Sequence, residues 1–287
     1  SLPRFAPAYG LGTALLFPVA AGAESILVPE QAHSDVVFAA IVEHEPTVIF
    51  ATPSIYGQLA RDAAAEGRLL PLAAVRLAIA AGEGMPEKLL PRIRETLGCA
   101  VKVGYGLTEL LQIALAAPAD ADGRSATCGR PLPGIEARVV DDDGRPVGAD
   151  EIGTLELRGG SMFVGYHGET GPGAAPFVDG WFATRDRFMV DGAGMFHHCG
   201  RVDDLFKVGG KWVSPLEVER ALTAHEAVWE CAVIGADDED GLIKPLAFVV
   251  PNVGHDRGPA LAAELRDYVK QELAPYKYPR WIEFVDH

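Results

Sequence analysis

The sequence predicts an α/β protein. It begins with a layered α/β domain, continues into a smaller β region that fits a barrel or a sandwich, and ends in a compact α+β unit. Three observations carry this. Up to about residue 125, apolar strand-like runs alternate with helical patterns, as in a sheet covered by helices. From Gly129 the composition shifts to Gly, Pro and period-two alternation. Residues 200–219, GRVDDLFKVGGKWVSPLEVE, then join a turn, a hairpin signal and a helix cap. With 287 residues, 48% of them hydrophobic, the chain can bury more than one core.

Taken in order, Ser34 is placed to cap an apolar helical run over 35–42. A strand over 47–51 follows, then a helix after Pro53. A strand at 75–80 leads into the Gly82-Glu83-Gly84 turn. Pro86 opens a helix that ends at Gly98, and a short strand at 100–103 runs into Gly104-Tyr105-Gly106. Ligands of such sheets bind at the carboxyl ends of the strands, so both glycine-bearing segments, each following a strand, are expected at one crevice. Strands at 135–140 and 154–157, separated by the Asp143-Gly144 turn, make up the β region.

Gly209-Gly210 lies between 205–208 and 211–213, and tight hairpins need such residues because their central positions take positive φ. Ser214, Pro215 and Glu217 supply an N-cap, a first-turn Pro and the closing carboxylate of a capping box. Strands at 228–234 and 246–250, a helix over 259–273 and a strand at 281–285 complete the chain. The large domain is placed at 1–202, with its α/β part to about 125 and its β part over about 126–200. The small domain is placed at 203–287.

The 25 Lys and Arg against 40 Asp and Glu give a net charge of −15, which argues against nucleic acid or an anionic membrane as partner. Cys99, Cys128, Cys199 and Cys231 form no C-x-x-C pair, so free thiols in a reducing, cytoplasmic compartment are expected. The apolar stretch 11–21 is too short to span a bilayer and contains Pro18. His197-His198-Cys199 does not suit a tetrahedral metal, since neighbours on a strand point to opposite faces. No G-x-S-x-G elbow suggests a serine hydrolase.

Tyr105-Gly106-Leu107-Thr108-Glu109 has the parts a nucleotide needs. It offers a ring to stack on a base, a Gly for close backbone approach, a hydroxyl for phosphate and a carboxylate for Mg²⁺.

The 200–219 string and the Y-G-L-T-E string together resemble the adenylate-forming enzymes, which include acyl- and aryl-CoA ligases, adenylation domains and luciferases. The resemblance covers essentially the whole chain. It implies a large N-terminal domain with a β-barrel subdomain, and a small mobile C-terminal domain that rotates about Asp203. It also implies Tyr105 as the adenine platform, Thr108 as a catalytic phosphate contact and Glu109 as the Mg²⁺ ligand. Gly82, Glu83 and Gly84 match the loop beside the adenine, with Gly106, Asp186 and Arg201 completing the nucleotide contacts. Arg185 stands where the family's T-G-D motif has Gly. Gly209 and Gly210 would line a thiol tunnel, and 153–159 matches a structural β motif.

Residues 5–12 and 110–113 look like the acid-pocket segments of benzoate-type CoA ligases, which implies Ala8, Tyr9, Gly106, Gln112 and Ile113 around a flat aromatic acid. Gln112 stands where those ligases commonly have His, and its amide could bond a ring hydroxyl or amino group. ATP, Mg²⁺ and coenzyme A are the implied cofactors. A carrier-protein acceptor, or a nucleotide-binding fragment without activity, is the alternative. The family's phosphate loop is expected ahead of Ser1 and its catalytic Lys beyond residue 286. Lys277 is not that Lys by motif position. Without them the chain as written should bind nucleotide weakly and adenylate poorly.

Overall fold

A computed structural model describes residues 1–5, 8–28, 33–67, 74–86, 88–111, 113–117, 127–168 and 177–286. The chain divides into two compact units. The first comprises Ser1–Thr184 with Met189–His198, and the second comprises Arg185–Phe188 with Cys199–His287.

The first unit opens with α1 (Ala8–Leu11), a π-helical turn and α2 (Phe17–Ala21). It continues with α3 (Ser34–His44), β1 (Val48–Ala51), α4 (Pro53–Glu66), β2 (Leu77–Ala80), α5 (Leu89–Leu97) and β3 (Ala100–Gly106). Strands β1, β2 and β3 pair in parallel, Val48 beside Leu77 and Leu77 beside Ala100. Parallel strands need crossover helices, and here α4 and α5 are the connections. Phe38 and Ile41 of α3, Tyr56 and Leu59 of α4, and Leu90, Ile93 and Leu97 of α5 pack on Ile49, Ala78 and Val101 in one buried cluster.

Three local expectations change. The Ser34 hydroxyl does not cap α3; it donates to Asp62 of α4, and His33 is the N-cap residue. That bond also holds the Asp62 carboxyl below its usual range. Helix α5 starts at Leu89 rather than Pro86. Gly104-Tyr105-Gly106 continues the strand expected to end at 103. After pairing with β2, β3 continues antiparallel to β4 (Ile113–Ala116), which pairs in turn with β5 (Arg130–Pro131). Gly104 permits this, because the Ile113 methyl lies 3.1 Å from where a side chain would begin.

The remaining strands of the β region are β6 (Ile135–Val140), β7 (Ile152–Gly159), β8 (Phe177–Val178), β9 (Trp181–Val190) and β10 (Phe196–Arg201). They form a sheet in the order β10-β9-β7-β6, with β8 against β9. Among the described residues this path does not close into a ring, so the expected barrel is seen only as a sheet. Arg138 and Arg158 flank the Trp181 ring at 4.2 and 4.6 Å, and Arg158 donates to Glu136 through two nitrogens. These contacts give the 153–159 motif a structural part.

The second unit contains the hairpin β11 (Phe206–Val208) and β12 (Lys211–Val213), with Gly209 and Gly210 at φ 57° and 79°. Both central residues are left-handed, which matches the twist of the paired strands. Helix α6 (Pro215–Ala224) follows, then β13 (Val228–Asp237), β14 (Ile243–Pro251), α7 (Pro259–Glu272) and β15 (Trp281–Phe284). Leu261, Leu265 and Val269 recur every four residues, one face of α7, and pack with Val218 and Leu222 of α6 on Val233, Ala247 and Val249.

Half of the capping box at α6 forms. Ser214 Oγ accepts the Glu217 N–H at 3.3 Å and donates to Cys199 O at 2.7 Å. Both Glu217 oxygens accept from Lys277 Nζ at 2.6 Å instead of turning back to the cap. All four cysteines are free thiols, and no helix among the described residues is long and apolar enough to cross a membrane.

Candidate functional site

In the first unit the candidate residues stand at the ends of β1, β2 and β3. Tyr9 leaves α1 and its hydroxyl donates to Ala51 O at 3.2 Å and to Ile79 O at 3.1 Å. Burial pushes its pKa well up, so it stays a donor. Ala8 begins the same helix. Gly10 on α1 is a close-approach position, because a Cβ there would lie 1.8 Å from Arg4 O.

Gly82 has φ 91°, and the Tyr9 ring lies 3.7 Å from where its side chain would begin. Glu83 is turned onto α4, where its carboxylate accepts the Ser54 N–H at 3.0 Å and the Ser54 hydroxyl at 2.7 Å. An anion at a helix N-terminus is favourable there, so Glu83 fixes this loop to the start of α4. Gly84 follows the bend at Gly82 and Glu83, in the segment that leads to α5.

Tyr105 and Gly106 end β3, and Gly106 pairs with Ile113 of β4. The His198 ring stacks on Tyr105 with centroids 6.1 Å apart and planes at 26°. Sequence reasoning weighed His198 only as a metal ligand. The alternation along β10 that argued against the metal also separates His198 from His197, whose Nε2 lies 2.9 Å from Asp191 Oδ2. Gln112 lies outside the described residues.

A single 3₁₀ turn, Thr108–Leu110, carries the exposed Thr108 and the half-buried Glu109. Leu111 leaves it at φ 69°. Tyr166 donates to Glu109 Oε1 at 2.8 Å, and the Phe163 N–H donates to Glu109 O at 2.7 Å. No local sequence signal marks these partners, which lie more than fifty residues away. Among the described residues no group of three or more His, Cys, Asp or Glu gathers as a metal cage. One hard carboxylate beside a hydroxyl fits Mg²⁺ nonetheless, since that ion is commonly held by one or two carboxylates together with substrate phosphates.

In the second unit, Asp186 is largely buried at 15% side-chain exposure, and Arg201 Nε lies 3.8 Å from its Oδ1. Arg185 stands at φ 63°, its Nη2 is 3.0 Å from Asp203 Oδ1, and its carbonyl accepts the Val202 N–H at 2.9 Å. Gly209 and Gly210 are the hairpin tip. Thus Asp186 meets Arg201 and Asp203 meets Arg185 within one unit. Tyr9 meets Gly82, and Gly106 meets Ile113, within the other.

Residues 3–167 match the family model of the AMP-binding enzymes, and residues 217–287 match that of the AMP-binding enzyme C-terminal domain. The chain is 42% identical over 282 residues to a benzoate–CoA ligase of Thauera aromatica, covering 97% of this chain and 53% of the relative. It is 41% identical over 280 residues to a 4-hydroxybenzoate–CoA/benzoate–CoA ligase of Rhodopseudomonas palustris, covering 97% and 52%. The structure superposes with a TM-score of 0.89 on the anthranilate CoA ligase AuaEII in complex with anthranoyl-AMP, 36% identical, over 100% of this chain and 55% of that one. The chain therefore spans about half the length of the curated relatives it matches.

Proposed function

The chain belongs to the AMP-binding enzymes, and on that premise we propose that the protein activates a small aromatic carboxylic acid with ATP and passes the acyl group to coenzyme A. The placement of Tyr105, Thr108 and Glu109 at the end of β3 and on the turn after it carries this reading. A ring, a hydroxyl and a fixed carboxylate follow one another there within five residues. The names of the relatives, benzoate, hydroxybenzoate and anthranilate ligases, support an aromatic acid.

In the first step a carboxylate oxygen of the acid attacks the α-phosphorus of ATP. The bond to the β-phosphate oxygen breaks, pyrophosphate leaves, and an acyl-adenylate remains. Tyr105 stacks on the adenine, and Asp186 accepts from the ribose hydroxyls. Thr108 and Arg201 donate to phosphate oxygens, and Gly82, Gly84 and Gly106 leave room for the nucleotide. Glu109 would hold Mg²⁺, which when bound neutralises charge on the phosphates. Ala8, Tyr9, Gly106, Gln112 and Ile113 flank the acid.

In the second step the coenzyme A sulfur attacks the acyl carbon and AMP leaves. Residues 203–287, the small domain, turn about Asp203 between the steps and bring Gly209 and Gly210 along the thiol. The large domain at 1–202 contains the barrel subdomain. Short element-terminal segments absorb such rotations. Asp203→Pro is expected to spare adenylate formation while thioester formation falls; equal loss of both steps argues against the hinge.

The test is pyrophosphate release by the full protein with benzoate, hydroxybenzoates, aminobenzoates and medium-chain fatty acids, with and without coenzyme A. Release with a small aromatic acid, and thioester only with coenzyme A, is expected. Release without thioester points to a carrier-protein acceptor. No release with any acid overturns the reading.

A further inference from the structure

Glu109 sits on an element that cannot orient it. Among the described residues, the turn Thr108–Leu110 is closed by the Leu110 N–H to Leu107 O and Leu111 N–H to Thr108 O bonds, at 3.3 and 3.0 Å. Such a short 3₁₀ segment, followed by a residue at positive φ, leaves the side chain several accessible rotamers. Restraint comes instead from residues 163–166, beyond β7. The Phe163 N–H fixes the Glu109 carbonyl, and the Tyr166 hydroxyl fixes Oε1.

Those two partners are themselves anchored. The Phe163 ring meets the Tyr166 ring edge-on at 4.9 Å. It also meets Phe177 of β8 and Phe182 of β9, both at 5.4 Å, and Phe182 is only 5% exposed. Aromatic groups in such tilted and edge-on arrangements hold one another in defined orientations. A chain of contacts thus runs from the buried face of β9 through two rings to one oxygen of Glu109.

We propose that Tyr166 is the positioning residue of Glu109: its hydroxyl holds Oε1, and so sets the carboxylate orientation in which Glu109 takes a divalent cation carried by the nucleotide. This rests on the reading of Glu109 given above. Partners that orient a metal-binding carboxylate typically change metal affinity about 10–100-fold when removed. Tyr166 touches neither the acid nor the reacting phosphorus in this role; it acts through Glu109.

The experiment compares the full protein with Y166F, which keeps the ring against Phe163 and removes only the hydroxyl. Mn²⁺ binding in the presence of a non-hydrolysable ATP analogue, read by electron paramagnetic resonance, needs no turnover. Y166F is expected to weaken Mn²⁺ binding about tenfold while its melting temperature stays near that of the parent. The Mg²⁺ concentration for half-maximal pyrophosphate release should rise by the same factor, with the KM for the acid unchanged.

In an E109A background, Y166F should add nothing further, because the hydroxyl then has no carboxylate to orient. Equal Mn²⁺ affinity in parent and Y166F overturns the proposal, as does an effect of the same size in E109A. A parent that binds Mn²⁺ with the nucleotide analogue but releases no pyrophosphate with any acid overturns the functional reading alone.

Discussion

Arg185 Nη2 lies 3.0 Å from Asp203 Oδ1, and the arginine that makes this pair stands in the left-handed region at φ 63°. Both side chains are more than half exposed, so the pair contributes at most about 1 kcal/mol. A residue with a Cβ in that conformation costs about 1–2 kcal/mol. The ion pair therefore does not offset the strain.

The strain predicts an inverted order of substitutions. At an ordinary position Ala is more stable than Gly by about 0.5–1 kcal/mol. At 185 the Gly variant should be the more stable, by about 1 kcal/mol, since both variants lose the pair and only Gly relieves the backbone. Urea melts of R185G and R185A decide this. A more stable R185A would show that the backbone there is unstrained.

Ser214 joins two elements through one oxygen, accepting from the N-terminus of α6 and donating to Cys199 O. Ser214→Ala should cost about 1–2 kcal/mol for the cap alone, because the side chain is buried and water cannot replace it. Hydrogen exchange should quicken at the Glu217 amide more than at the end of α6. Uniform exchange along α6 would deny the capping role.

The hairpin and the α6 cap were legible because their causes are local. Gly209-Gly210 forces a turn whatever lies around it, and Ser214 is three residues from the amide it caps. Ser34 carried the same local signal, but the helix starts one residue earlier with His33 at the N-cap, and the Ser34 hydroxyl donates to Asp62, brought close by the packing of α3 on α4. The strand expected over 100–103 runs on to Gly106, because the missing side chain of Gly104 makes room for Ile113 of β4. The motif residues of the candidate site could be named one by one. Their supports could not: Ser54 for Glu83, His198 for Tyr105 and Tyr166 for Glu109 are all set by tertiary packing across long separations.

Glu219 gives the fold a pH dependence of defined sign. Its carboxyl is raised above the usual 4.5, mainly by burial, although its Oε1 accepts the Val233 N–H at 2.8 Å. A carboxyl whose folded pKa is raised binds its proton more tightly in the fold than in the unfolded chain. Its contribution is therefore most favourable below the unfolded pKa, falls as pH rises through the folded pKa, and is constant above it. E219Q keeps the acceptor and cannot ionise. The stability of E219Q relative to the parent should rise as pH is raised from 4.5 upward and then level off. Denaturant melts across that range check it; a difference independent of pH would show that Glu219 titrates in the fold as it does unfolded.

Tyr9 separates what a ring does from what a hydroxyl does. The hydroxyl is spent on the Ala51 and Ile79 carbonyls; Ala51 O also accepts the Ala81 N–H at 3.3 Å, and Ile79 O lies 3.3 Å from the Tyr56 hydroxyl, whose shorter bond goes to Ile49 O at 2.9 Å. Removing it should therefore cost only about 1 kcal/mol. The half-buried ring lies against Gly82, at the turn after β2, so deleting it should cost less than the about 3–5 kcal/mol of a fully buried core aromatic but more than the hydroxyl. Y9F should leave the KM for the acid unchanged, and Y9A should raise it while lowering the melting temperature more than Y9F does. If Y9F shifts the preference among ring-substituted acids as much as Y9A does, the hydroxyl leaves its carbonyls when the acid binds and contacts the acid itself.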